Sequence, residues 1–469
     1  MSLREQLTGW NPRLWAGWRP NGVGEQKPKH YAEMARAAWA NRAHPLHAWR
    51  ILTRGACDGC ALGVAGLHDW TIDGVHLCTT RLDLLELNTA DPVDPGLLGD
   101  VAPLRSRSGA ALRALGRLAH PMRRRRGERG FRRVSWDEAL DTLAGGIAAT
   151  APERVALYLT SRGITNETYY VAGKAARALG VANIDSAARV CHAPSTVGLK
   201  DTVGVGATTC SYRDVVDDAR LVVLWGSNPA NNQPVFMKYL YLARRRGCRV
   251  VVVNPYLEPG LERYWVPSNV ESALFGTRMC DLHVPVRPGG DVALATAALR
   301  ALVQRGAVDR DFVDAHTEGF DEVAAALADR DPDELRRLAG VDAATLDAFV
   351  DELVRAGGAV HVWSMGITQH RDAAEGVRGI VNLALAQGGV GRDGVGLMPI
   401  RGHSGVQGGA EMGAYATALP GGVPVDAGGA ARLAALWGFP VPDRPGLTAA
   451  EMVDAAGRGD VDVLWMSGG

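Results

Sequence analysis

Short, almost wholly apolar runs separated by helix-length segments constrain this chain more than any other feature. Val155-Ala-Leu-Tyr-Leu159, Arg220-Leu-Val-Val-Leu-Trp225 and Arg249-Val-Val-Val-Val253 are each long enough for one strand. Between them, Glu167 to Leu179, stopped by Gly180, has helical spacing, and so does the stretch from Pro234 to Arg246. Alternation of this kind predicts parallel strands joined by crossover helices. Runs without polar alternation predict strands covered on both faces. The pattern returns in Ala359-Val-His-Val-Trp363 and a helix from Ala373 to Gln387, while Ser135-x-x-Glu138 starts the apolar-periodic Ala139 to Ile147 as a capping box does.

With 469 residues the chain exceeds what one hydrophobic core usually holds, roughly 250 to 300 residues. The expected class is α/β and multi-domain, with doubly wound parallel sheets. We divide it into an amino-terminal extension over 1–50, a small Cys-containing region over 51–130, an α/β region over 131–300, a helical insert over 301–356 and a second α/β region over 357–469. The extension, rich in Trp, Pro, Arg and His, shows no clear period. Basic and acidic residues balance at 51 each, which argues against nucleic acid or a membrane surface as the main partner. No apolar stretch of about 18 residues and no leader pattern occur, so no membrane span is expected and the cytoplasm is the expected place. The seven cysteines then read as thiols or ligands rather than disulfides.

Chemistry concentrates between Ser186 and Leu199, a segment neither helix nor strand by pattern, where Cys191 and His192 stand side by side. A thiolate can attack or ligate, and an adjacent imidazole can accept or relay protons near neutral pH. Taken alone, such a pair also reads as a small buried cysteine beside an ordinary histidine. Cys57-Asp-Gly-Cys60, with Cys78 further on, forms a second constellation: two thiolates can hold one metal from a tight turn and a third can close from a following element.

Ligands of open α/β sheets sit beyond the carboxyl ends of the strands. Gly226-Ser227-Asn228 follows one strand and Asn254 ends the next; small polar turns let backbone amides approach a phosphate, and a polar residue there can reach ribose hydroxyls. Ordinary Gly/Asn turns remain the plain alternative. The turn is not a Gly-x-Gly-x-x-Gly, which makes nicotinamide binding a weaker reading. The Arg123–Arg126 run, continuing to Arg129, Arg132 and Arg133, reads as a solvated loop or a phosphate contact. Asp291 reads as a cap of the helix Ala293 to Leu302. Cys210, Cys248 and Cys280 match no metal spacing and are expected to be buried thiols.

Arg189-Val-Cys191-His192-Ala-Pro-Ser195, preceded by Ser161-Arg162-Gly-Ile-Thr-Asn166-Glu167 and followed by Trp225-Gly226-Ser227-Asn228-Pro-Ala230, resembles the molybdopterin oxidoreductases, in particular the formate dehydrogenase alpha-subunit group. The resemblance runs from about Cys57 to Gly469. It implies a bis-molybdopterin guanine dinucleotide carrying molybdenum or tungsten, with Cys191 as metal ligand and His192 as proton acceptor. Arg162, Asn166, Glu167, Gly226, Ser227, Asn228 and Asn254 would contact the cofactor. In the Gly289-Gly-Asp291 turn, Gly289 and Asp291 would meet the guanine edge. Gly366, Gln369, Arg401, Gly402, His403, Ser404 and Gln407 form the pieces resembling the family's second pterin-side set, and Arg378 falls where the family holds the formate carboxylate.

The family also places a 4Fe-4S cluster at the Cys57, Cys60 and Cys78 position, on a Cys-x2-Cys-x3-Cys pattern with a distant fourth cysteine. Here the third position is Val64, which leaves His68, His76, a carboxylate or nothing as fourth ligand, and a structural zinc or no metal as alternatives. The implied activity is two-electron oxidation of a small anion such as formate, with electrons leaving through the cluster to a possible electron-transfer subunit. Nitrate or another oxyanion as substrate, and a non-catalytic remnant, are the rival readings. The final run, Val461 to Met466 with a Gly turn, is expected to be a buried-type strand, and family members continue well beyond it.

Overall fold

The structure is a computed structural model that describes residues 30–55, 57, 59–60, 62–63, 74–75 and 79–468. Cys78, His68 and His76 lie outside the described residues. Within the extension, His30–Ala40 and Pro45–Arg54 are helices, and Trp39 and Trp49 stand exposed on them. The principal strands are β1 Val155–Leu159, β2 Asn183–Ser186, β3 Leu221–Trp225, β4 Arg249–Val253, β5 Leu282–Val284, β6 Val360–Trp363, β7 Gly396–Pro399 and β8 Val463–Ser467. The principal helices are α1 Trp136–Ala148, α2 Asn166–Ala178, α3 Ala193–Val203, α4 Phe236–Arg245, α5 Asp291–Gln304, α6 Ala343–Ala356, α7 Ala373–Leu385 and α8 Ala449–Arg458. No described helix is long and apolar enough to cross a membrane.

The described residues form two compact units. One holds 188–406 with the described parts of 30–36 and 49–79, and the other holds 37–48, 80–187 and 407–468. Apolar runs adjacent in sequence therefore belong to different sheets: β1 and β2 pair with β8 in the second unit, while β3 and β4 lie in the first.

The first unit is a five-stranded, all-parallel sheet in the order β7-β6-β3-β4-β5. Successive side chains of a strand point to opposite faces. Leu221, Val223, Trp225, Val251 and Val253 thus share a core with α5, α6 and α7, whereas Val222, Leu224, Val250 and Val252 share the opposite one with α4. Two apolar faces require two helical layers, which is why these strands carry no polar alternation. Each fully buried large apolar side chain contributes about 1.5–3 kcal/mol. Cys60 and Leu62 join the α4 face. Between α5 and β6 stand four helices, Arg310–His316, Phe320–Ala328, Pro332–Ala339 and α6.

The second unit is a three-stranded parallel sheet, β8-β1-β2, with α2 and α8. Buried Arg177 of α2 donates to the Gly413 carbonyl (2.8 Å), and Asp185 of β2 accepts the Ala449 amide at the start of α8 (2.8 Å). β8 is an edge strand with Trp465 and Met466 exposed, not the buried strand its apolar run suggests. The basic run is a two-residue hairpin, Met122–Arg123 against Arg132–Arg133, whose Arg123 and Arg132 pair with Glu138.

Ser135 caps α1 by accepting the Glu138 amide (3.0 Å). The stretch 186–199, expected to be irregular, is helical. β2 ends at Ser186, Ala188–Cys191 is one helical turn, His192 is a non-helical joint (φ −128°) and α3 follows. Pro194 hid this: it stands in the first turn of α3, where its missing N–H has no helical partner to lose. For a related reason the helix after β3 begins at Phe236 rather than Pro234, behind a separate turn at Pro229–Asn232.

Candidate functional site

The first unit gathers its polar turns where β3, β4 and β6 end. Gly226 has φ +51° and meets Gly366 back to back: a Cβ on Gly226 would stand 2.6 Å from the Gly366 carbonyl carbon, and one on Gly366 2.4 Å from the Gly226 Cα. The Gly366 amide donates to the Gly226 carbonyl (2.9 Å). Only paired glycines permit this approach, and both line a cavity of about 390 Å³ together with Ser227, Asn228, Asn254 and Asp291 among others. Asn254 ties the turns together, donating to the Ser227 carbonyl (3.2 Å) and to Glu258 Oε2 (3.1 Å).

Two carboxyl groups in this wall are shifted upward. Burial pushes Asp291 up to about 6, against the opposing charge of His370, and burial also raises Glu258, against its hydrogen bonds and the charge of His283. Asp291 does not cap α5. Gly290 is the capping residue and Asp291 is the first helical one, where the helix amides favour a carboxylate while desolvation opposes it. Gly289, at φ +80°, makes the turn that brings it there. Glu258 and His370 were not legible as site residues. The one signal for Glu258 was its position four residues after a strand-ending Asn.

Cys191 is buried at the end of its helical turn, with Sγ 3.7 Å from Met365 Sδ. Met365 also lines the cavity, so the Cys191 site and the Gly226 cavity share a wall. The backbone around Cys191 is clamped by the turn after β6: Thr368 Oγ1 donates to the Cys191 carbonyl (2.6 Å) and Gln369 Nε2 to the Val190 carbonyl (3.2 Å). Burial raises the Cys191 thiol, partly offset by the charge of Arg401. His192 is wholly buried. Desolvation, helped by Arg401, takes it down to about 3, so it is neutral. Its Nδ1 lies 3.0 Å from Ser195 Oγ, which also accepts Trp363 Nε1 (2.9 Å).

Cys191, His192, Gln369 and the Arg401 charge are thus brought together. The Arg378 guanidinium is instead paired with Asp201 and Glu375 on the surfaces of α3 and α7. Gly402, His403 and Ser404 follow Ile400, whose carbonyl accepts Gln233 Nε2 (3.4 Å) and Ser364 Oγ (3.2 Å). Arg162, Asn166, Glu167 and Gln407 belong to the second unit. There Arg162 follows β1, Asn166 and Glu167 open α2, a Cβ on Gly408 would stand 2.0 Å from Asn166 Oδ1, and Gln407 donates to Glu411 (2.9 Å).

The Gly59 amide faces Cys57 Sγ at 3.4 Å in the Cys57–Cys60 turn. Among the described residues no cluster of three or more His, Cys, Asp or Glu is arranged to hold a metal. Cys248 and Cys280 are buried, Cys210 partly so; burial raises their thiols to about 12, 11 and 12 respectively.

A test of fit for a polar ligand is which buried atoms lack partners. Ser227 Oγ, Asn228 Oδ1, Gln233 Oε1 and His192 Nε2 are buried with no hydrogen bond. Each such atom costs about 1–3 kcal/mol. Three of them within seven residues of the β3 turn suit a phosphate-rich, hydrogen-bonding ligand rather than an apolar one.

Residues 117–469 match the family described as molybdopterin oxidoreductase. The chain is similar to formate dehydrogenase H of Escherichia coli K12, 32% identical over 75% of this chain and 48% of that protein. It is also similar to protein YdeP of the same strain, 31% over 76% of this chain and 48% of that protein. An uncharacterised oxidoreductase of Mycobacterium tuberculosis is 33% identical over 67% of this chain and 41% of that protein. The chain spans about half the length of the curated relatives it matches. Among solved structures, acetylene hydratase from Pelobacter acetylenicus shares the fold, with a TM-score of 0.54 and 18% identity over 73% of this chain and 44% of that one.

Proposed function

Because the chain belongs to the molybdopterin oxidoreductase family, we propose that it binds a molybdopterin guanine dinucleotide in the cavity at the ends of β3, β4 and β6, and oxidises a small anion, formate in the first instance. The observation that carries this is Cys191: a buried thiol beside a buried neutral imidazole, touching the Met365 that lines the cavity. Bound there, the cofactor would supply a molybdenum or tungsten centre able to take two electrons.

This chain's residues do the rest. Gly226 and Gly366 let backbone approach the phosphates, Ser227 and Asn228 supply unpartnered polar atoms, and Asp291 and Glu258 offer carboxyl edges to a base or ribose. Cys191 must lose its proton to become a ligand, since the thiolate is the ligating form, and the Arg401 charge favours that loss. A second dinucleotide would be met, within the first unit, by Gln369 and the 401–404 turn.

For the substrate carboxylate, Arg401 is the better-supported cation, because its charge bears on both Cys191 and His192. Arg378, in the position the family uses, would first have to leave Asp201 and Glu375. Cys57, Cys60 and Cys78 would hold an iron–sulfur cluster, which would supply one-electron transfer to a separate acceptor protein.

The test is metal and pterin content of the purified chain with formate-dependent dye reduction. Wild type should carry molybdenum or tungsten, pterin and iron, and lose dye reduction in C191A. R401A should raise KM for formate more than R378A does. A C191A chain with undiminished formate-dependent reduction sinks the assignment, and turnover of nitrate or another oxyanion instead of formate moves the substrate within the same site.

A further inference from the structure

The contacts of His192 carry information that its position beside Cys191 does not. His192, Ser195 and Trp363 are all fully excluded from solvent, so water cannot stand in for a missing partner. Trp363 is the last residue of β6, opposite Trp225 in register, and Ser195 lies in the first turn of α3. The indole Nε1 of Trp363 lies 2.9 Å from Ser195 Oγ, and His192 Nδ1 lies 3.0 Å from the same oxygen. His192 Nε2 is buried with no hydrogen bond.

An indole N–H only donates, so Ser195 Oγ accepts from Trp363. The serine has one hydrogen left to place, and two arrangements follow. In the first, the Ser195 hydroxyl donates to Nδ1 and the imidazole proton sits on Nε2. One buried group, Nε2–H, then waits for a partner. In the second, Nδ1–H donates to Oγ, and both the serine hydrogen and the Nε2 lone pair are left unmade. Buried polar groups without partners are unfavourable, so the arrangement that strands fewer of them prevails. The identity of the group bonded to one ring nitrogen decides which nitrogen carries the proton.

We propose that Ser195 and Trp363 are positioning residues that hold His192 in the Nε2–H tautomer. The residue beside Cys191 then meets a ligand as a hydrogen-bond donor suited to an anionic oxygen. The tautomer stands on the geometry alone; only its use toward a substrate oxygen rests on the proposed function.

The experiment is a long-range nitrogen–proton correlation spectrum of the full 469-residue chain labelled with 15N-histidine, at pH 7.5, with the His192 signals identified by their loss in H192Q. Wild type should show an unprotonated Nδ1 and a protonated Nε2. S195A should lower the ratio of Nε2–H to Nδ1–H about fivefold, the fold-change expected of one ordinary hydrogen bond, and S195T, which keeps the hydroxyl, should restore it. W363F frees the Ser195 oxygen and should shift the ratio in the same direction, which keeps the test available should S195A not fold. A wild-type spectrum with the proton on Nδ1, or variants with the wild-type ratio, overturns the relay. A chain with this tautomer but no formate turnover leaves the relay standing and removes the substrate reading.

Discussion

The two parallel sheets differ in what their apolar strands face. β3, in the middle of five strands, is almost wholly buried on both sides, whereas β8, apolar in four of its five residues, is an edge strand with Trp465 and Met466 exposed. The lesson is that an apolar run guarantees a strand but not its place in a sheet. The chemistry follows the difference. The turns of the doubly covered sheet gather Gly226, Asn254, Met365 and, through Met365, Cys191.

The sharpest way to test this contrast is one carboxylate placed in each sheet. V223D puts an unpaired charge between the sheet and the layer of α5, α6 and α7, and should lower stability by more than about 4 kcal/mol, enough to lose the native state. M466D, on exposed β8, should stay within about 0.5 kcal/mol in a urea melt. Comparable losses would mean that the second unit is as tightly packed as the first.

Glycines sharpen it further. G226A combines a positive φ with a Cβ inside the Gly366 backbone and should cost about 3 kcal/mol, with loss of pterin from the purified chain. G421A in the second unit has a similar φ of +80° but nothing within 4 Å, and should cost about 1 kcal/mol, read by the same melt.

His361 on β6 makes a pH prediction. It is completely buried and accepts Trp225 Nε1 (3.1 Å), and desolvation takes it from 6.5 down to about 4. Between these values the unfolded chain binds the proton and the folded chain does not. Stability is therefore full above pH 6.5 and falls as pH drops towards 4, by up to about 1.4 kcal/mol per pH unit and about 3 kcal/mol in all. H361Q should flatten that part of the profile. A slope unchanged in H361Q would place the acid sensitivity elsewhere.

The smallest effect is expected at the surface. D462N removes the partner of Arg154 beside β8, an exposed pair at 2.6 Å, and should leave the melting temperature unchanged within error.

Much of this was legible in the residues. The bounds of 155–159 and 249–253 are those of β1 and β4, Ser135 caps α1 as its spacing implies, and the turn after β3 lines a cavity at the strands' carboxyl ends. These features depend on neighbours within a few positions, where periodicity and turn chemistry act. What the residues could not disclose was pairing across distance. Four decisions belong to the tertiary structure: that β1 leaves β3 for β8, that Gly366 comes to rest on Gly226, that Asp201 engages Arg378 across 177 positions, and that Trp363 reaches Ser195 across 168. Strand order and side-chain partners are fixed by which surfaces bury together, and that competition is settled among elements far apart in the chain.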